Sequence, residues 1–299
     1  MKKIIFNKQQ DFISIIAPAS GCPDAQDRLA KSIEMLNLQG FKTLVDDKIL
    51  VGDELPFFVA PKAERIRMFK EAMENERVKI IWAFRGGYGC SEIVEDYFDI
   101  QKKGDKILIG YSDITVLHLL LNGHYNIPTI HGSVLTSFLH PVNQDINSIL
   151  NVIKGEDSKI ALSPINKIND NPIEGKILGG NLTALSKLIG TSINLKTNNI
   201  LLLEDINEKG YSIHRNFVQL KNAGIFDGIE AIIFGDFTEG DENIELAIKS
   251  FCLNHIPNIE TYRAEGIGHG KINQPVIMNY KVVISGNYLR FSSPFALED

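Results

Sequence analysis

Apolar residues in the first half of the chain fall into short runs separated by amphipathic stretches. Ile13-Ser14-Ile15-Ile16-Ala17 reads as a buried strand, and Asp24 to Leu38 places Leu29, Ile33 and Leu36 on one helical face. Phe41 to Val45 is a short strand, Ala60 to Asn75 a helix and Val78 to Phe84 a strand. Ser91 to Tyr97 is a helix, and Lys106 to Ile109 a strand. This βαβα order predicts an α/β fold: a mostly parallel sheet with helices on both faces. Ligands of such sheets lie beyond the carboxyl ends of the strands. Three segments fall there: Pro18–Pro23, Arg85–Cys90 and Tyr111–Asp113.

After about Leu139 the texture changes. Residues 155–172 are polar, carry two prolines and show no sustained period, which predicts a connection between domains. The expected division is an N-terminal α/β domain over 1–155, a linker over 156–172 and a smaller C-terminal α/β domain over 173–299. The second half mixes strands (Ile200–Leu203, Ala231–Phe234, Val276–Ile277, Lys281–Ile284) with helices near Leu182–Ile189 and Asn243–Leu253. There is no internal repeat of solenoid period and no low-complexity segment.

Composition narrows the class. The chain has 299 residues, 44% hydrophobic and 23% charged, as in ordinary globular proteins. A net charge of −6 without a basic, aromatic-laced block argues against nucleic acid as a partner. No apolar run approaches the roughly 20 residues a bilayer span needs. The N-terminus has Lys2 and Lys3 ahead of an apolar run, but Lys8 to Asp11 interrupt it, so no export signal is read and a cytoplasmic protein is expected. Cys22, Cys90 and Cys252 are too few and too scattered for a disulfide framework, and fit a reducing compartment.

The chemistry-bearing segments sit at the predicted strand ends. Ile107-Leu108-Ile109 stops at Gly110-Tyr111-Ser112-Asp113, and a helix with Ile114, Leu117 and Leu121 on one face follows at once. A serine on a sharp strand-to-helix turn has the geometry of a nucleophile elbow. The N–H of Asp113 would then lie at a helix N-terminus, able to stabilise an oxyanion. Ile114 stands where the usual elbow has its second glycine, so a simple helix cap at Ser112 or Asp113 is the competing reading. Arg85-Gly86-Gly87-Tyr88-Gly89-Cys90 lets backbone approach a ligand closely and aims N–H groups at an anion. Arg85 suits bidentate pairing with a carboxylate. Cys90, at a helix start, is the rival nucleophile, because that position lowers a thiol pKa.

Leu201-Leu202-Leu203 ends in Glu204 and Asp205; one of these carboxylates needs a partner if buried, and an acidic loop edge is the alternative. Gly266-Ile267-Gly268-His269-Gly270 surrounds a histidine with small residues, leaving the imidazole open to another element and suited to general-base work. His118, His124, His131 and His140 show no metal-ligand spacing, and His118 is expected on the core side of the elbow helix. No cofactor or metal is implied.

Taken in order, IIAPAS, RGGYGC, GYSDIT, ILGGNLTAL (177–185), LLLEDINE and GIGHG resemble the LD-carboxypeptidase family of serine peptidases across nearly the whole chain. That family includes muramoyltetrapeptide carboxypeptidases and microcin-immunity-type relatives. The resemblance implies a Ser–Glu–His triad of Ser112, Glu204 and His269, with the serine on an amidotransferase-like N-terminal domain and its partners on the C-terminal one. It further implies a metal-free cytoplasmic homodimer that cuts the L,D-amide bond before the terminal D-alanine of murein tetrapeptide, in peptidoglycan recycling. Asp113 and Gly87 are the expected oxyanion donors; Arg85 and Gly86 are the expected substrate contacts. The alternatives are a microcin-type amidase for aminoacyl nucleotides on the same triad, and a non-catalytic α/β anion-binding module. The lack of an aromatic-rich insertion near residues 170–200 favours the murein peptide.

Overall fold

The computed structural model describes residues 3–139, 146–195 and 199–298; His140 lies outside them. Two sheets dominate. The first has six strands, in spatial order Val276–Met278, Thr129–His131, Ile107–Gly110, Val78–Ala83, Phe12–Ile16 and Lys42–Val45. All neighbours are parallel except Val276–Met278, which closes one edge antiparallel.

Strand alternation divides the core. Ile80 and Trp82 enter one apolar cluster, and Ile81 and Ala83 enter the other. Helix Ala25–Leu38 contributes Leu36 to the first; helices Lys62–Glu74 and Thr115–Gly123 contribute Phe69 and Leu117 to the second. The sheet is therefore covered on both faces, as its continuous apolar runs predict.

The second sheet has eight strands, in order Ser158–Ala161, Tyr288–Phe291, Lys281–Ser285, Ile173–Asn181, Ile200–Ile206, Ala231–Thr238, Glu260–Arg263 and Ser163–Asn166. Its four consecutive strands from Ile173–Asn181 to Glu260–Arg263 are parallel, and antiparallel strands flank them. Phe217 of helix Gly210–Asn222 packs edge-on against Phe234 of the sheet and, tilted, against Phe251 of helix Ile244–His255. Helix Gly210–Asn222 is an addition to the two expected here; its buried Ile213, Phe217 and Leu220 recur at helical spacing.

Within residues 156–172, expected as a linker, the structure places two strands. Ser158–Ala161 pairs with Tyr288–Phe291, and Ser163–Asn166 with Glu260–Arg263. Both are edge strands, so polarity did not betray them: Ile160 and Leu162 are buried while Lys159 and Ala161 are exposed. An edge also tolerates Pro164, which has no N–H to donate. Residue 155 marks a change of sheet rather than a break in the core. Val276–Met278 returns to the first sheet, Ile4–Asn7 pairs with Phe295–Glu298, and both apolar clusters draw on both sheets.

Between the sheets runs the elbow helix, Thr115–Gly123. It packs against strand Ile173–Asn181 and helix Leu182–Lys187 as well as its own sheet. Every residue from Thr115 to Asn122 is buried, so the helix is enclosed on all sides rather than along one stripe. This placement turns the carboxyl ends of both sheets toward one cavity, lined in part by Arg85, Tyr111, Ile206 and Thr238.

Candidate active site

The elbow is built by its sequence neighbours. Strand Ile107–Gly110 ends, Tyr111 stays extended, and Ser112 takes a left-handed backbone with φ 64°. For a non-glycine residue that conformation costs on the order of 1–3 kcal/mol, a strain concentrated at functional sites. Ile114, the departure from the usual elbow, folds back on the strand: a Cβ added to Gly110 would stand 2.7 Å from its side chain. Gly86 lies nearly as close, because a Cβ there would stand 3.0 Å from Ser112 Cβ. The glycine loop thus lies directly against the serine.

That loop is fastened at three points. Ser20 Oγ accepts from the Tyr88 N–H at 2.9 Å and donates back to the Tyr88 carbonyl at 3.2 Å. Asp113 Oδ2 accepts from the Cys90 N–H at 2.8 Å, tying the far end of the loop to the elbow. Arg65, 1% exposed, donates to the carbonyls of Ala60, Pro18 and Gly89, pairs with Glu92 and lies over the Phe58 ring. Burial pushes the Asp113 carboxyl up, partly offset by the Cys90 amide. Cys90 is corrected as a nucleophile: it is fully buried, is absent from the cavity lining, and burial and then Asp113 push its thiol well up. The helix start was legible, but the burial that reverses its effect was not.

Across the cavity, Glu204 and His269 meet. Glu204 Oε2 lies 2.6 Å from His269 Nδ1, and both side chains are nearly or wholly removed from water. Burial alone would raise the Glu204 carboxyl, but the histidines facing it, His269 foremost, hold it down at about 2. Burial would lower His269, yet the Glu204 charge and hydrogen bond raise it above the usual histidine value. The approach depends on Gly268, whose φ is 109°; a Cβ there would stand 2.5 Å from Glu204 Oε2. With Nδ1 committed to Glu204, Nε2 is the nitrogen left for the serine. The His269 ring lies 4.6 Å from that of Tyr111, the residue before Ser112. No hydrogen bond joins Ser112 to His269 in this arrangement; both line the same cavity.

The neighbouring carboxylate does different work. Asp205 accepts from Asn181 Nδ2, from the N–H and hydroxyl of Thr183, and from the Ile206 N–H. Burial and the adjacent Glu204 charge raise it to about 6. It thereby ties the start of helix Leu182–Lys187 to the strand carrying Glu204, which explains the NLT of ILGGNLTAL. His118 is buried as expected; its Nε2 donates to the Gly110 carbonyl at 2.8 Å, and burial lowers it to about 3.

The cavity measures about 660 Å³, within the usual range for small-molecule sites. Ser112, His269, Gly86, Gly87 and Arg85 all line it. Among the described residues its charged lining is Arg28, Arg85 and Lys271, without a carboxylate, in a chain whose net charge is −6. Arg85 is anchored by a hydrogen bond from Nη1 to the Gly21 carbonyl. Among the described residues, no group of three or more His, Cys, Asp or Glu side chains is placed to hold a metal ion. None of their helices is long and apolar enough to cross a membrane. Sequence reasoning missed the clamping roles of Arg65, Ser20 and the Asp113 carboxylate, although Ser20 and Asp113 both lie in segments singled out at the strand ends.

Gly268→Ala tests the close approach. The added methyl must displace Glu204 or His269, so labelling of Ser112 by a serine-directed acylating reagent should slow on the order of 100-fold. An unchanged rate in a folded variant would show that the approach is dispensable.

Comparison with known proteins places the chain. A family model described as the LD-carboxypeptidase N-terminal domain matches residues 13–132, and one for the C-terminal domain matches residues 174–284. A putative carboxypeptidase of Rickettsia conorii is 34% identical over 276 residues, covering 89% of this chain and 85% of the relative. The murein tetrapeptide carboxypeptidase of Pseudomonas aeruginosa is 27% identical over 296 residues, covering 93% and 94%. A crystal structure of muramoyltetrapeptide carboxypeptidase from Oxalobacter formigenes superposes with a TM-score of 0.80 at 25% identity, covering 95% of this chain and 99% of that one. The chain belongs to the LD-carboxypeptidase family.

Proposed function

We propose that this carboxypeptidase is a metal-independent serine enzyme that releases the terminal D-alanine of murein tetrapeptide, with Ser112, His269 and Glu204 as its triad. One observation carries the reading. A strained serine and a carboxylate-paired histidine, from different sheets, face one cavity whose charged lining, among the described residues, is cationic.

In this reading Ser112 Oγ attacks the scissile carbonyl and its proton passes to His269 Nε2. The tetrahedral oxyanion is met by the N–H groups of Asp113 and Gly87; no hydrogen bond among the described residues uses that of Gly87. His269 then protonates the leaving amine of D-alanine. Water, activated by the same imidazole, hydrolyses the acyl-enzyme and regenerates the serine. Glu204 keeps the proton on Nδ1 and stabilises the imidazolium. Arg85, steadied by the Gly21 carbonyl, pairs with the free carboxylate that distinguishes a carboxypeptidase substrate, and Gly86 admits the peptide beside the serine. Residues 170–200 contain no aromatic side chain, so that segment offers no stacking platform for a nucleotide base, which favours a peptide over an aminoacyl nucleotide.

Mass spectrometry of the protein incubated with murein tetrapeptide should show tripeptide and free D-alanine, and Ser112→Ala should slow release by about 1,000-fold or more. Intact tetrapeptide, or an undiminished rate in the variant, would refute the reading. Arg85→Lys should reduce kcat/KM on the tetrapeptide far more than on its C-terminal amide. Equal losses on the two substrates would assign Arg85 a structural role instead.

A further inference from the structure

Glu204 has two carboxylate oxygens and His269 takes only one. The other, Oε1, is buried and lies 3.6 Å from Nε2 of His131, itself 0% exposed. That separation is an electrostatic contact rather than a hydrogen bond. Neither ring nitrogen of His131 has a hydrogen-bond partner among the described residues. The fold sets this meeting. His131 ends strand Thr129–His131 directly beside Gly110, two residues before the nucleophile, and Val276 pairs with it from the other side. Gly180 leaves room for the ring, since a Cβ there would come within 3.3 Å of it.

We propose that His131 is a positioning residue that makes the site a four-member chain, Ser112, His269, Glu204 and His131. Its Nε2–H faces Oε1, fixing the plane of the carboxylate so that Oε2 points at His269 Nδ1. A buried carboxylate held at one oxygen alone can still tilt about that contact, because its terminal torsion is broad. His131 Nε2 is beside Oε1, and so restrains that tilt. It touches neither substrate nor nucleophile, and acts through Glu204.

The inference rests on the triad proposed above, and its first test needs no substrate. In protein labelled with 15N-histidine, NMR should find the proton of His131 on Nε2 at the pH of activity, as the neutral tautomer or the imidazolium. A bare Nε2 would overturn the proposal while leaving the triad untouched. Variants give the second test. His131→Leu should lower kcat by about 10- to 100-fold at unchanged KM, on the scale of losing the outer partner of a metal ligand. His131→Gln, whose amide N–H₂ can replace the donor, should recover most of that loss. Equal losses in both folded variants, or no loss in His131→Leu, would overturn the proposal. If His131→Leu fails to fold, a folded His131→Gln with little activity does the same.

Discussion

A buried carboxylate facing an imidazole is the constraint on which the site is organised. Glu204 sits at the end of a strand of leucines, where an ionised group survives only with partners. Pairing with His269 holds the carboxylate ionised, and the carboxylate in turn raises the histidine and favours its imidazolium form. Removing one member of such a pair typically costs about 3–5 kcal/mol, because the other charge is left uncompensated. The glycines of GIGHG follow from this closeness. Gly268 lies where any side chain would collide with the carboxylate, and Gly270 where one would collide with Asp236.

The opposite wall of the cavity is held by a different device. Three loops at the carboxyl ends of the first sheet carry no secondary structure strong enough to fix them. Arg65 reaches carbonyls at Pro18 and Gly89 from one buried guanidinium, Ser20 grips Tyr88, and Asp113 grips Cys90. Arginine suits this place because its planar fork serves several carbonyls at once and remains charged when buried. These bonds press the glycine loop onto the strained serine. The backbone strain at Ser112 is therefore sustained by contacts made outside the turn itself.

Much of this was legible in the chain, and the limits have physical causes. The apolar runs of a buried parallel sheet announced the first half, and the abrupt turn at Gly110 to Asp113 announced the elbow. Edge strands 158–161 and 163–166 were read as a linker because pairing on one side leaves polar residues in place. Glu204 and Asp205 looked alike, since what separates them lies far away: His269 for one, Asn181 and Thr183 for the other. Cys90 seemed reactive from its helix start, whereas burial governs its thiol. Arg65 gave no signal, because a helical arginine is usually a surface residue and only the fold shows what it clamps.

The central claim is that Ser112, His269 and Glu204 act as one unit. The pH dependence of Ser112 labelling by a serine-directed phosphonate tests it without presuming a substrate. In the wild type, labelling should fall on one residue, Ser112. Its rate should rise with pH through an inflection above the ordinary histidine value of about 6.5, since His269 must lose its proton to act as base. In Glu204→Gln the negative charge is gone, so the inflection should move down and the plateau should fall. Labelling at another residue, or an inflection that stays in place when Glu204 is neutralised, would contradict the account.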